Sequence, residues 1–449
     1  MLTPTEARDI AQSLVAQAVR GGATAADAML ASDRSMGVQI RLGELEDVSR
    51  SEGQEIGLRV FVGQRSASVA SSDLRAPALE ALVERAVAMA REAPEDEFAG
   101  LAPAGLLLTG DVPDIDGWDD RPEPDPVVLR ARALEAESAA RGISGITNSG
   151  GGSAGASAST IALATSHGFA RAYCSSGHSC SVSVIAGDGS GMQRDYAYDS
   201  VRHEADLEDA EAIGRRAGER AAKRVNPGKP APGRMAVLFD PRVSSSLLGH
   251  FTSAINGSSI ARGTSFLGDK MGERLFAAGV TIRDEPLRRR GVRSRPFDGE
   301  GLPVHELDLI DDGVLTTWLA ESAAARQLGI VPTGHASRGV GGSPGAGPSN
   351  LVMLAGKRSR EELLGAFPQA ILITELIGMG VNGVTGDYSR GASGFLVSNG
   401  EIGAPVSEFT IAGNLLEMFR TLEPGSDLER RRGIDAPTIL IPEMAVAAG

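Results

Sequence analysis

Cysteine and aromatic residues are scarce in this chain of 449 residues: it has two cysteines, and aromatic side chains make up 4%. Cys174 and Cys180 lie six apart in a segment with a strand pattern, so they share one face but lie too far apart for a disulfide. This excludes a disulfide-stabilised scaffold and favours the reducing cytoplasm. The few aromatics and the 57 glycines predict strands of small residues joined by tight turns.

Long apolar runs and an excess of positive charge are also absent. No run reaches about 18 apolar residues, so we expect no membrane-spanning helix. The first 14 residues, MLTPTEARDIAQSL, lack the basic and apolar regions of a signal peptide. The 44 basic and 58 acidic residues give a net charge of -14. An acidic surface repels phosphate groups, so neither nucleic acid nor an anionic membrane is an expected partner.

Hydrophobic periodicity predicts an α+β fold that begins with a layered domain containing an antiparallel sheet. Residues 1–95 have the pattern of a helix, then strands near 37–48 and 56–71, then a helix opened by Pro77. Thr3 and Glu6 have the spacing of a capping box at the start of the first helix. Residues 96–123 are rich in Pro, Asp and Gly, which is typical of a connecting loop.

The central part predicts helices near 125–141 and 205–224 around a meander of short antiparallel strands. The Pro- and Gly-rich stretch VNPGKPAPG (225–233) then indicates a domain boundary. Beyond it the chain predicts mixed or antiparallel sheets with a few helices, one of them at 245–265. We therefore expect subdomains at 1–95 and 96–228, followed by a β-rich C-terminal domain at 229–449.

Several long segments, in the same order, resemble one known family. VTGDYSRGASGFLVSNGEIGAPVSEFTIAGNL (384–415), LLGHFTSAINGSSIARGTSFLGDKMGERL (247–275) and GLRVFVGQRSASVASSDL (57–74) are similar to the TldE (PmbA) branch of the TldD/PmbA family. The resemblance implies a cytoplasmic complex that degrades unstructured peptides and matures peptide precursors. In it, TldD-type chains are zinc peptidases with an HExxxH helix and a further cysteine ligand, and TldE-type chains are their partners.

The ligand positions implied by the resemblance can be compared with this sequence. Aligned on RGTS (262–265), Gly249 and Ala254 replace the two histidines, and His250 replaces the glutamate. Near the end, Ala436 is the nearest match to the cysteine. A hydrolytic zinc needs three protein ligands and a bound water. We therefore expect no metal and no catalytic residue in this chain, and zinc only in the TldD-type partner.

Two stretches remain candidates for contact with a substrate or a partner. A lone histidine on an apolar helix is more often structural than catalytic. For His250, both a structural role and a role as a general base stay open. Tyr388 and Arg390 stand in GDYSRGASGF (386–395), which has the composition of a glycine-rich turn. The basic segments at 288–295 and 429–433 are predicted to be solvated loops. The alternative is that they contact an acidic partner. The candidate cleft or interface residues are His250, Asn256, Arg262, Asp387, Tyr388, Ser389 and Arg390.

Three functions follow from these observations. The first is a non-catalytic subunit that forms a heterodimer with a TldD-type peptidase, or a homodimer alone, and binds unfolded peptide by strand addition. The second is an autonomous hydrolase without a metal, although the GxSxG-like stretches at 151–155 and 341–345 lack the strand-to-helix context of a nucleophile elbow. The third is a regulatory protein that acts on DNA gyrase, as the family has been described.

Overall fold

The first half of the chain forms one antiparallel six-stranded sheet with the order β3-β2-β1-β4-β5-β6 in a computed structural model that describes residues 1–448. β1 pairs with β4 from Asp27 and Thr165 to Ile40 and Gly152. The predicted subdomains 1–95 and 96–228 therefore contribute three strands each to the same sheet. The helices are α1 (Pro4–Arg20), α2 (Ala76–Glu92), α3 (Pro126–Arg141) and α4 (Ala210–Lys223), and the strands are β1 (Ala25–Arg41), β2 (Glu44–Val62), β3 (Arg65–Ser71), β4 (Ile146–Thr165), β5 (Ala170–Ala186) and β6 (Gln193–Val201).

The side chains of β1 point alternately to the two faces of this sheet, and their contacts show what each face packs against. Leu30 is buried with α1 and α2, and Ile40 with α3, so the even-numbered positions face the helices. Met29 faces the other way and packs with Phe297 and Leu302 of the second half of the chain. Because successive side chains of a strand point to opposite faces, the sheet lies between its four helices and the C-terminal domain.

Small residues let the helices approach the sheet and each other closely. A Cβ on Gly152 of β4 would lie 2.4 Å from the carbonyl oxygen of Ala133 on α3. A Cβ on Gly214 of α4 would lie 2.2 Å from the carbonyl oxygen of Ala136, also on α3. The glycines of this region are therefore packing positions within regular elements, and this corrects the predicted short strands: β4 has 20 residues and β5 has 17.

Other boundaries also differ from the prediction. β1 begins at Ala25, and the chain turns at Leu42 and Gly43, which both have positive φ, inside the stretch predicted as a strand at 37–48. α4 begins at Ala210 and not near 205. The capping box at Thr3 is confirmed, because the Glu6 N–H donates to Thr3 Oγ1 at 3.3 Å and the Thr3 N–H donates to Glu6 Oε2 at 2.8 Å.

The second half of the chain is built around a mixed sheet that closes on itself. The order is β16-β15-β14-β7-β19-β17, with a further pairing between β16 and β19. β7 and β14 are parallel and the other pairs are antiparallel. The helices are α5 (Pro241–Ala254), α6 (Gly257–Ala261), α7 (Ser322–Leu328), α8 (Arg360–Leu364) and α9 (Leu415–Thr421), and the strands are β7 (Gly233–Phe239), β8 (Ile282–Asp284), β9 (Leu307–Asp311), β10 (Val314–Leu315), β11 (Ala336–Ser337), β12 (Gly345–Ala346), β13 (Leu351–Met353), β14 (Gln369–Ile377), β15 (Asp387–Ser398), β16 (Glu401–Asn414), β17 (Glu423–Pro424), β18 (Ile434–Asp435) and β19 (Ile439–Ala448).

A second, five-stranded sheet has the order β10-β9-β8-β13-β18, and β11 pairs with β12. α5 belongs to the large apolar core between these elements, where Phe251 meets Phe276 edge to face at 5.3 Å between ring centroids. The predicted α+β class, with an N-terminal layered sheet and a β-rich C-terminal domain of mixed sheets, is confirmed. Within residues 1–448, no helix combines the length and the apolar character needed to cross a membrane.

Charged residues join the two halves of the chain. Arg290 pairs with Asp116 at 2.7 Å and with Asp206 at 2.9 Å, so part of the basic segment 288–295 contacts this chain's own acidic residues. The buried Asp27 of β1 accepts hydrogen bonds from Arg59 of β2 and, at 2.7 Å, from Arg338 of the C-terminal domain. Because each buried charge here has a partner of opposite sign, the contact avoids the cost of an isolated buried ion.

Glu300 lies close to this group and is 3% exposed. Its Oε2 accepts hydrogen bonds from the backbone N–H and the hydroxyl of Ser322, at 2.8 and 2.7 Å. Burial, reinforced by the charge of Asp298, raises the pKa of Glu300 to about 7. This carboxyl therefore changes its charge near neutral pH inside the protein.

Candidate functional site

α5 carries the sequence that aligned with a zinc-binding helix. Asp240 caps its start by accepting a hydrogen bond from the Arg242 N–H at 3.1 Å, and Pro241 takes the first helical position. The helix ends at Ala254, and Asn256 caps a separate short helix, α6. The single helix predicted at 245–265 is therefore wrong. The Asn256-Gly257 pair explains the break, because Asn256 is an N-cap and Gly257 packs directly against the backbone of Leu319.

A cavity of about 310 Å³ opens beside the last turn of α5. His250 and Ala254, one helical turn apart, face it from the helix. Hydroxyl and apolar groups from α6 and two loops complete its wall. The lining residues are His250, Ser253, Ala254, Ser259, Thr264, Phe266, Met379, Val381 and Gly383.

His250 packs against Tyr388 of β15, with 5.9 Å between the ring centroids and 75° between the ring planes. Burial, and then the charge of Arg390, lowers the pKa of His250, so its ring is neutral at pH 7. Burial raises the pKa of Tyr388. Within residues 1–448, neither His250 Nε2 nor the Tyr388 hydroxyl has a hydrogen-bond partner. Of the two, only His250 lines the cavity, so its ring is the polar group that this pair presents there.

The residues of this site do not fit the zinc that the HExxxH alignment implies. A Cβ on Gly249 would have no other atom within 4 Å, so a side chain has room there, but glycine supplies no donor atom. Ala254 supplies none either. In the described part of the chain, no three His, Cys, Asp or Glu side chains lie together in a way that could hold a metal ion. A zinc site of the hydrolytic type needs three such ligands.

Ala436 lies at the opposite end of α5. Its carbonyl oxygen accepts a hydrogen bond from Ser244 at 3.3 Å, in the first turns of the helix. Ten residues of helix, roughly 15 Å, separate Ser244 from Ala254. Side chains at Ala436 and Ala254 could not bind the same ion, so the structure does not bring Ala436 into this site.

The predicted glycine-rich turn at 386–395 is a strand. Tyr388 and Arg390 lie in β15, between β14 and β16, and Tyr388 is 1% exposed. A Cβ on Gly394 would lie 1.9 Å from the carbonyl oxygen of Leu372, so this glycine marks a close approach between strands and not a turn. Arg390 Nε donates to the Ile377 carbonyl at 3.4 Å.

The remaining candidates have separate roles. Asp387 accepts a hydrogen bond from the Thr385 hydroxyl at 2.7 Å, and the Ser389 N–H donates to the Gly380 carbonyl at 2.6 Å. Asn256 Nδ2 donates to the Ala346 carbonyl at 2.8 Å. These three residues therefore hold neighbouring backbone in place. Arg262 is exposed at the end of α6, and its side chain has no partner in the described part of the chain.

The sequence interpretation missed the loop that forms the cavity rim, residues 377–386, called the Met379 loop below. Met379 is 92% exposed, and Ile377 and Val384 are more than half exposed. The loop has a fixed path, because Gly383 accepts a hydrogen bond from the Phe266 N–H at 3.0 Å. An ordered loop that presents three large apolar side chains is typical of a contact surface. The alternation of glycine with apolar residues in IGMGVNGV (377–384) is the signal that could have indicated it.

Known proteins resemble the chain along nearly all of it. Family models match in three consecutive parts: PmbA/TldA metallopeptidase domain 1 at 26–90, the central domain at 119–225 and the C-terminal domain at 232–448. The "Metalloprotease PmbA" of Escherichia coli O157:H7 is 37% identical, over 97% of this chain and 95% of that protein. The "Metalloprotease PmbA homolog" of Haemophilus influenzae is 33% identical, over 98% and 96%.

Solved structures agree on the fold. A proposed modulator of DNA gyrase from Bacteroides thetaiotaomicron has a TM-score of 0.92 at 27% identity, with full coverage of both chains. TldE from Thermococcus kodakarensis has a TM-score of 0.87, covering 98% of this chain and 100% of that one, and at 21% identity it supports the fold alone. On the family models and the two curated relatives together, the chain belongs to the TldD/PmbA metallopeptidase family, in its PmbA (TldE) branch.

Proposed function

We propose that this chain is the non-catalytic subunit of a TldD/TldE-type peptidase and that a TldD-type partner supplies the zinc and the catalytic residues. The observation that carries the proposal is that α5 lacks the side chains that would bind zinc. His250, which is neutral, and Ala254 face the cavity, and Gly249 precedes them on the helix; this set cannot hold zinc or generate a zinc-bound hydroxide. The relatives are named metalloproteases, so a protease-related role is the common element.

The cavity and the Met379 loop would contribute binding. His250 lines the cavity, and its Nε2, unpaired within residues 1–448, could bond to a peptide group. Met379 and its exposed apolar neighbours would pack against the partner or an unfolded substrate. Such a site holds a peptide while another polypeptide breaks the bond. The heterodimer, the unfolded peptide substrate and the cytoplasmic location stay predictions.

The direct test is co-expression with the TldD-type chain of the same organism. We expect co-purification, zinc in the complex, and cleavage of an unstructured peptide that neither chain achieves alone. Met379→Glu should reduce complex formation or cleavage by at least about tenfold, because it places a charge in an apolar contact. Met89→Glu is the matched control, since Met89 is 48% exposed on α2, in the other half of the chain. Full activity of the Met379→Glu complex would contradict a role for this loop.

An autonomous metal-free hydrolase is the alternative favoured by the unpaired His250 nitrogen. Against it, His250 has no carboxylate partner in the described part of the chain, and the nearby Ser253 hydroxyl already donates to the Gly249 carbonyl at 2.9 Å. Cleavage by the isolated chain that resists a chelator and is lost in His250→Ala would favour this alternative.

Regulation of DNA gyrase is the third candidate, and its support is the description of the Bacteroides thetaiotaomicron structure. A pull-down with this chain as bait separates the candidates. Recovery of a TldD-type protein without gyrase favours the peptidase subunit, and recovery of gyrase favours the regulator.

A further inference from the structure

A second cavity, of about 480 Å³, lies between the two halves of the chain. α4 and β6 form one side, and the start of α5 together with α8 and strands β14, β15 and β16 forms the other. Its wall contains five cationic side chains and two carboxylates, in a protein whose net charge is -14. The lining residues are Asp195, Arg220, Lys223, Arg224, Asp240, Arg242, Arg360, Leu372, Thr374, Phe395, Ile402 and Gly403.

Three of the arginines are already held by carboxylates. Arg224 and Arg242 bond to Asp195, at 3.0 and 2.9 Å, and Arg224 also bonds to Glu375. Arg360 bonds to Asp240 at 2.7 Å. Both carboxylates of the wall are therefore engaged in ion pairs, which hold that part of the cavity wall in place.

The other two cations lack a counter-ion. Arg220 forms no ion pair within residues 1–448, and its one hydrogen bond goes to the Tyr196 carbonyl at 3.5 Å. Lys223, on the next turn of α4, also has no partner in the described part of the chain. Burial, and then the charge of Arg242, lowers the pKa of Arg220. An anion bound here would offset both the cost of burying Arg220 and its repulsion by Arg242.

A hydroxyl on the opposite wall is also unsatisfied. Thr374 of β14 is 9% exposed, and its Oγ1 is buried without a hydrogen-bond partner among residues 1–448. A buried hydroxyl that makes no hydrogen bond is costly, so a ligand group that reached this hydroxyl from the cavity would offset that cost. Leu372, Phe395 and Ile402 supply apolar surface beside it.

We propose that this cavity binds a small organic anion with one carboxylate or phosphate group next to an apolar body. Arg220 and Lys223 would bind the charged group and Thr374 would donate to it, while Leu372 and Phe395 contact the apolar part. The cavity volume matches that of small-molecule sites. The site goes beyond the proposed subunit function, because it lies at the start of α5 and needs no partner chain.

Isothermal titration calorimetry on the full chain alone tests the site with N-acetyl-L-leucine, its neutral amide and inorganic phosphate. We expect the carboxylate to bind and the amide to bind at least about tenfold more weakly, because charged hydrogen bonds are strong. Tighter binding of phosphate than of the carboxylate would also support an anion site and would identify phosphate as the charged group.

Variants locate the binding. Arg220→Gln combined with Lys223→Gln should weaken it at least about tenfold, and the near-isosteric Thr374→Val about threefold. Arg215→Gln is the matched control, since Arg215 lies on α4 but pairs with Glu211 on the exposed side. Unchanged melting temperatures would show that the variants fold. The proposal is overturned if neither anion binds, if the amide binds as well as the acid, or if the double variant binds like the wild type.

Discussion

Replacing Glu300 by glutamine should change how the stability of the protein depends on pH. A glutamate in the unfolded chain loses its proton near 4.5, whereas Glu300 in the folded protein loses it near 7. Between these values the folded protein holds more protons than the unfolded chain, so raising the pH favours unfolding. Each pKa unit corresponds to about 1.4 kcal/mol, so this carboxyl lowers the free energy of unfolding by about 3 kcal/mol between pH 4.5 and 8.

Glutamine removes the titration and keeps an oxygen that can accept the hydrogen bonds from Ser322. We expect the free energy of unfolding of the wild type to fall by about 2.5 kcal/mol relative to Glu300→Gln as the pH rises from 5 to 8. Urea unfolding followed by circular dichroism at each pH measures this difference. Glu306→Gln is the control, since Glu306 is 58% exposed and pairs with Arg283. If the wild type and Glu300→Gln give parallel pH curves, the assignment of a raised pKa to Glu300 is wrong.

Three further predictions concern the helix, the thiols and the contact between the halves. Gly249→Ala should raise the free energy of unfolding by about 0.5–1 kcal/mol, because glycine is a poor helix residue and a Cβ has room there; a lower urea midpoint would contradict this. Cys180 should react with a thiol reagent at pH 8 far more slowly than Cys174, because burial raises the pKa of Cys180 to about 11; equal rates in the single-cysteine variants would refute it. Asp27→Asn should cost about 3–5 kcal/mol in urea unfolding by leaving Arg338 and Arg59 buried without their carboxylate; a loss below about 1 kcal/mol would show that the arginines find other partners.

Local signals predicted the parts of the fold that depend on neighbours in sequence. The capping box predicted at Thr3 is confirmed, and the structure has a second one at Ser359 and a hairpin turn at Asp312-Gly313, where both residues have positive φ. Each of these structures is set by hydrogen bonds or backbone angles within a few residues. The strand patterns likewise indicated an antiparallel sheet in a layered N-terminal domain.

Long-range contacts explain the errors. The segment around Tyr388 has the glycine content of a turn. Gly394 is nevertheless a strand residue, and it has no room for a side chain because the backbone of Leu372, more than 20 residues earlier, passes directly against it. Nothing in the sequence of β15 shows that contact. The placement of Ala436 failed for a similar reason, since an alignment of short segments does not reveal which end of α5 they reach. Of the residues named from the sequence, His250 and Ala254 line the cavity and Tyr388 packs against His250, whereas Ala436 lies at the other end of α5.

The closed sheet of the C-terminal domain has a consequence for synthesis in the cell. β7 lies between β14 and β19, and Phe239 pairs with Ile439, about 200 residues later. A ribosome adds about 5–20 residues per second, so β7 waits on the order of 10–40 seconds for its second neighbour. During that time Val237 and Phe239, both fully buried in the finished protein, remain open to water. Chaperones that shield nascent apolar segments should therefore increase the yield of this protein.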